Sequence, residues 1–150
     1  MFADCTWLNL LTIGTMVRSI DETAFKDTFI STVYYNSRYL PLDTASPCWD
    51  GLPDILFIAG NYGTVSGSFL RTGHADLSSV TAFRKEMVCF EFNTKADGSG
   101  EHIPRNTTDY TYSGRTAVYA IWSDGQYQLQ FDANGGKGFM PDQIIYWDYA

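Results

Sequence analysis

"VCFEFNTKADGSGEHIP", residues 88–104, is the stretch whose reading decides the fold of this chain. Val88, Phe90 and Phe92 belong to the β-branched and aromatic types that fit a pleated, half-buried surface. Residues 93–100 then supply Asn, Asp, Ser and Gly, whose side chains bond their own backbone and whose glycines accept positive φ. A strand running into a turn held by its own Asx and Gly residues is the expected structure.

Downstream the signals stay β. "TAVYAIW" (116–122) meets "SDG", and "YQLQFD" (127–132) follows, with Tyr127, Leu129 and Phe131 alternating against Gln128 and Gln130. That period of two is the half-buried strand pattern. "ANGG" (133–136) provides turn residues, and "QIIYWDYA" (143–150) is expected to form a further strand.

Upstream, "TWLNLLTI" (6–13) reads as a strand or short buried segment ended by Gly14, and "ILFIAG" (55–60) as a buried strand. "TVSGSFL" (64–70) is a glycine-weakened strand, and "ADLSSVTAFRKEM" (75–87) fits helix and strand equally. The one helix start lies at Ser19, with Glu22 three residues on as capping-box partner. Phe25, Phe29 and Val33 share a helical face, so a helix is expected over about residues 20–31, followed by a strand or extended segment through the competing "FISTVYY". "LPLDTASPCWDGLPD" (40–54) holds three of the five prolines and reads as a loop. The expected class is mainly β (α+β): antiparallel sheets with one short N-terminal helix. The style changes near residue 86, giving an α+β region 1–86 and a β region 87–150, or one continuous domain.

At 150 residues the chain suits one ordinary domain or two small ones. An apolar fraction of 45% with 18% charged residues belongs to a chain that buries a core. Aromatics are abundant, with 10 Tyr, 10 Phe and 4 Trp, suited to an aromatic-rich β core or a contact surface. The net charge of −7 and scattered Lys and Arg argue against nucleic acid as a partner, since phosphate contacts need a basic stripe. No apolar run approaches the length of a transmembrane helix, so membrane insertion by a helix is not expected. The N-terminus, with Asp4 and a short apolar run broken by Asn9, does not read as an export signal. Cys5, Cys48 and Cys89 are widely spaced; one disulfide with a free thiol is open, but three buried, reduced cysteines are expected.

Templates for chemistry fail in turn. "GTVSG" (63–67) has its serine one place off the nucleophile elbow and lies in a weak strand. His74 and His102 are expected in loops, which makes a Ser-His-Asp triad a poor fit. Residues 93–104 offer Asn93, Asp97 and Gly98 as for a calcium loop, but Lys95 and Pro104 occupy ligand positions. "ANGGKG" (133–138) lacks the P-loop spacing. The expectation is therefore no catalytic, cofactor-binding or metal-binding residue, and no cofactor.

Residues 127–150, "YQLQFDANGGKGFMPDQIIYWDYA", resemble the first half of the Listeria–Bacteroides repeat, a β-grasp-like module of bacterial surface proteins. Phe131, Asp132, Ala133, Asn134, Gly135, Gly136, Gly138, Met140, Pro141 and Gln143 match its opening in order. Residues 90–122 resemble the second half: "FEFNTKADGSGEHI" follows the family's aromatic-Asn-Thr-Lys-Ala-Asp-Gly-Ser-Gly run and "TAVYAIW" its closing strand. Glu91-Phe92 stands where the family has Gly-Trp, and the halves come in the order second, then first. The resemblance spans about 60 residues and implies a C-terminal part that is β-grasp-like or sandwich-like.

Members of that family are non-enzymatic spacer, adhesion or assembly modules. With no export signal read at the N-terminus, the expectation is a structural or attachment component of a bacteriophage virion (tail, baseplate, fibre or capsid accessory protein). Its partners would be other structural proteins, itself as a homo-oligomer, and a host-surface receptor. A fragment of a bacterial surface adhesin and a small acidic enzyme or inhibitor are the alternatives. Tyr127, Tyr146, Trp147 and Tyr149 are the expected partner contacts.

Overall fold

The structure, a computed structural model, describes residues 4–40, 54–60, 62–68, 70–124, 126–129 and 143–146. It is mainly β, as expected. One mixed sheet forms the centre. Its strands are β1 (Leu10–Ile13), β2 (Thr32–Tyr35), β3 (Ile55–Ile58), β7 (Met87–Asn93), β8 (His102–Pro104) and β10 (Thr116–Asp124). They lie in the order β1-β2-β3-β10-β7-β8. β1, β2, β3 and β10 run parallel, and β7 and β8 join antiparallel.

Three antiparallel pairs complete the described strands. β4 (Thr64–Ser66) pairs with β6 (Thr81–Phe83), and β5 (His74–Ala75) with β9 (Tyr110–Thr111). β11 (Gln126–Leu129) pairs with β12 (Gln143–Tyr146). The ambiguous stretch 75–87 resolves into a 3₁₀ turn at Leu77–Ser79, capped by Asp76, and then β6. The main sheet thus takes strands from both sides of residue 86.

The central strands are covered on both faces, which is why "ILFI" and, after Thr32, "VYY" are continuous apolar or aromatic runs, with every residue of both strands buried. One face carries Tyr34, Ile55, Phe57, Val118 and Ala120 against Val65, Leu77, Val80 and Tyr110 from the long β3-to-β10 connection. The other carries Val33, Tyr35, Leu56 and Ile58 against Val17, Ile20, Phe25 and Ile30 from the β1-to-β2 connection. Parallel neighbours need such crossovers, and here each covers one face.

The helix expected over residues 20–31 does not form. Asp21, not Ser19, organises the segment: its Oδ1 accepts the amide of Thr23 at 2.9 Å and the Thr23 hydroxyl at 2.6 Å. Successive turns follow, Ala24 to Asp21, Lys26 to Thr23 and Thr28 to Phe25, until Asp27 enters the left-handed region at φ 58°. The proposed helical stripe splits accordingly. Phe25 and Val33 are buried, while Phe29 is exposed. Sheet pairing of the β-prone Thr32–Tyr35 segment outcompetes the weak helical propensity of the residues before it.

Asn93 bears out the reading of the first turn. It is fully buried; its Oδ1 accepts the amides of Lys95 and Gly100, each at 3.0 Å, and its Nδ2 donates to the Gly98 carbonyl at 3.0 Å. Within the same turn the Ser99 amide and hydroxyl hold the Asp97 carboxyl below its ordinary range.

Tyr34 gives the sheet an alkaline limit. Its ring is buried and its hydroxyl donates to the Ser68 carbonyl at 2.9 Å. Burial pushes its phenol from 10 up to about 12. The folded state therefore holds a proton that the unfolded chain releases at about pH 10. That stability is fully present below pH 10 and is lost as pH rises through 10 toward 12. Denaturant midpoints measured from pH 9 to 12 should fall over that window. In a native-state absorbance titration, Tyr34 should ionise later than the exposed tyrosines, together with Tyr110, which burial likewise pushes up to about 12.

Candidate functional site

The C-terminal strands hold two of the four expected contact residues. In the β11–β12 ladder Tyr127 is opposite Ile145 and Tyr146 opposite Gln126. Trp147 and Tyr149 lie outside the described residues, as does the glycine turn at 133–136. This pair stands as a two-stranded sheet of its own, separated from β10 by the single residue Gly125. A two-stranded hairpin alone is marginal in water, and its outer backbone groups can pair with another strand.

A second surface went unpredicted. The register of β7 on β10 shifts between Ile121 and Trp122, so that Phe90 is the extra residue of a bulge. The bulge lets Cys89 and Phe92 both face the core while Phe90 turns outward, 66% exposed. The Arg84–Met87 bridge closes a tight turn between β6 and β7, with Glu86 at φ 61°. Ala82 packs inward, and Phe83 on the other side of its strand is 62% exposed. Alternation puts Phe90 and Phe92 on one face; only the bulge, which the sequence does not reveal, separates them.

Both histidines sit in short strands, not loops, and each is held by a carboxylate. His74 Nδ1 lies 2.8 Å from Asp109 Oδ1, with both side chains more than half exposed. His102 Nδ1 lies 2.7 Å from Oε1 of Glu91, which is itself nearly buried and also accepts from Asn93 Nδ2 at 3.4 Å. Among the described residues no cluster of His, Cys, Asp and Glu could hold a metal ion. Cys5 is exposed, against the expectation of burial: the turns around it place it at the surface ahead of β1. Cys89 is buried and its thiol is pushed up by that burial; both are free thiols, and Cys48 lies outside the described residues.

A polar cleft of about 250 Å³ opens where β2 and β3 end, lined by Asn36, Ser37, Arg38, Gly60, Tyr62 and Gly63. Asn36 forms its wall, accepting the Val65 amide at 2.7 Å and donating to the Val65 carbonyl at 3.0 Å. Ser37 is committed elsewhere, donating to the Val17 carbonyl in the β1-to-β2 connection and accepting from the amides of Tyr39 and Leu40. Trp122 donates its indole N–H to the Ala59 carbonyl at 2.7 Å, and its ring lies under Gly63 so closely that a Cβ there would sit 2.3 Å from it. Neither histidine lines this cleft.

Comparison of the chain with protein-family models, with curated proteins and with solved structures found no match.

Proposed function

We propose that this chain is a non-enzymatic structural or attachment component of a bacteriophage virion, acting through protein–protein assembly and self-association. The observation that carries the reading is the β11–β12 pair, set off as its own two-stranded sheet immediately after the last strand of the main sheet. Such a pair gains stability when a neighbouring chain extends it, and main-chain hydrogen bonds then supply affinity while alternate side chains supply specificity. Tyr127 and Tyr146 lie on these strands, and aromatic residues are favoured at the centres of interfaces. The similarity of residues 90–150 to surface-module repeats supports the same reading.

The test is truncation after Asp124. The main sheet ends at that residue, so the shortened chain should keep a cooperative melt close to that of the full chain. Its mass by light scattering should fall to that of one chain, while the full chain is a multiple. Unchanged assembly after the truncation would remove β11–β12 from the account.

A further inference from the structure

We infer that the cleft at the carboxyl ends of β2 and β3 binds the acidic sugar of a glycan, with Arg38 taking the carboxylate and Tyr62 the ring. The choice of a glycan rests on the attachment reading above; the site itself rests on four observations. First, its position: the loops leaving the carboxyl ends of parallel strands are where ligands bind in parallel sheets, because neighbouring loops diverge there. Asn36 and Arg38 are fixed in that loop by main-chain bonds to Ile13 and Thr15, so the wall is built before any ligand arrives.

Second, Tyr62 is held at φ 65° and the residue is 72% exposed. A tyrosine resists that backbone region, and a strained, exposed aromatic points to a use at the surface. Third, the Arg38 guanidinium lies 5.6 Å from the centre of that ring and pairs with no carboxylate among the described residues. In a chain of net charge −7, an arginine stacked on an aromatic face instead of on an acid is a preformed fork for an incoming carboxylate. Fourth, the size: about 250 Å³ falls below the volume of drug-sized pockets, about 300–1,000 Å³, and suits one ring. A tyrosine offers an apolar face beside a polar edge, which matches a pyranose with its C–H face and hydroxyls.

The test is a titration of the full chain, followed by amide chemical shifts, with glucuronate, glucose, inorganic phosphate and benzoate as separate probes. Glucuronate should shift the amides of Ser37, Arg38, Gly60 and Gly63, and glucose should do so far more weakly. Arg38→Met should weaken glucuronate by roughly tenfold or more, as expected for one charge-assisted contact. Tyr62→Gly should abolish binding without lowering the melting temperature, since glycine relieves the backbone at that position. Equal binding of glucose would overturn the carboxylate assignment. Phosphate or benzoate matching glucuronate would overturn the sugar, and no shift at these amides with any probe would overturn the site. Each of these failures leaves the mass in solution untouched, so it is distinguishable from failure of the assembly reading.

Discussion

Replacing Phe57 by alanine is expected to destabilise the protein by about 3–5 kcal/mol, the usual loss when a large aromatic leaves a packed core. Phe57 lies mid-sheet on β3 with none of its surface exposed. Its ring stacks on Tyr34 at 5.3 Å and meets Phe92 edge-on at 5.5 Å, tying the parallel half of the sheet to the antiparallel half. Offset and edge-to-face contacts each add to the burial itself. The cavity would therefore open between two partners fixed in different strands, and neither can move in without leaving its own ladder. For a domain of this length the melting temperature should drop by roughly 6–20 °C. A loss below about 1 kcal/mol would mean that the sheet order placing Phe57 at the centre is wrong.

Asn36→Leu is expected to cost about 2–5 kcal/mol for a different reason. The asparagine is nearly buried and satisfies both the amide and the carbonyl of Val65, itself fully buried. Leucine keeps the branched shape but leaves two buried backbone groups without partners, each costing about 1–3 kcal/mol. β4 would be released from the face of the sheet, so hydrogen exchange at the Val65 amide should accelerate even below the melting transition. Slow exchange at that amide in the variant would show that β4 is held by its pairing with β6 alone.

The local features of the fold were legible where chemistry is local. The turn over residues 93–100 follows from Asn93, Asp97 and the glycines, and the bonds from the Lys95 and Ser99 amides are those that Asx residues accept from two positions on. "ILFI" announces a buried strand by composition alone, whereas "TVYY" was open between a strand and an extended segment. Their parallel pairing was not legible, because strands buried on both faces lose the alternation that reports which side and which neighbour they face. The helix over residues 20–31 failed for a related reason: Phe25, Phe29 and Val33 have helical spacing, but the pairing that commits Val33 to the sheet is made with residues far along the chain.

The sites divide in the same way. Tyr127 and Tyr146 were legible as strand residues from the sequence around them, and both lie on paired strands. Arg38 and Tyr62 gave no signal, since they are 24 positions apart and meet only because β2 and β3 are adjacent and parallel. Phe90 depends on a bulge that one extra residue creates against β10.

The central claim is that this chain works as part of an assembly, and its mass in solution tests that most directly. Light scattering of the full chain across a concentration series should give a fixed multiple of 16.9 kDa, or particles that grow with concentration. A mass of 16.9 kDa at every concentration would contradict it, and would mean that the β11–β12 pair needs no second copy to be stable.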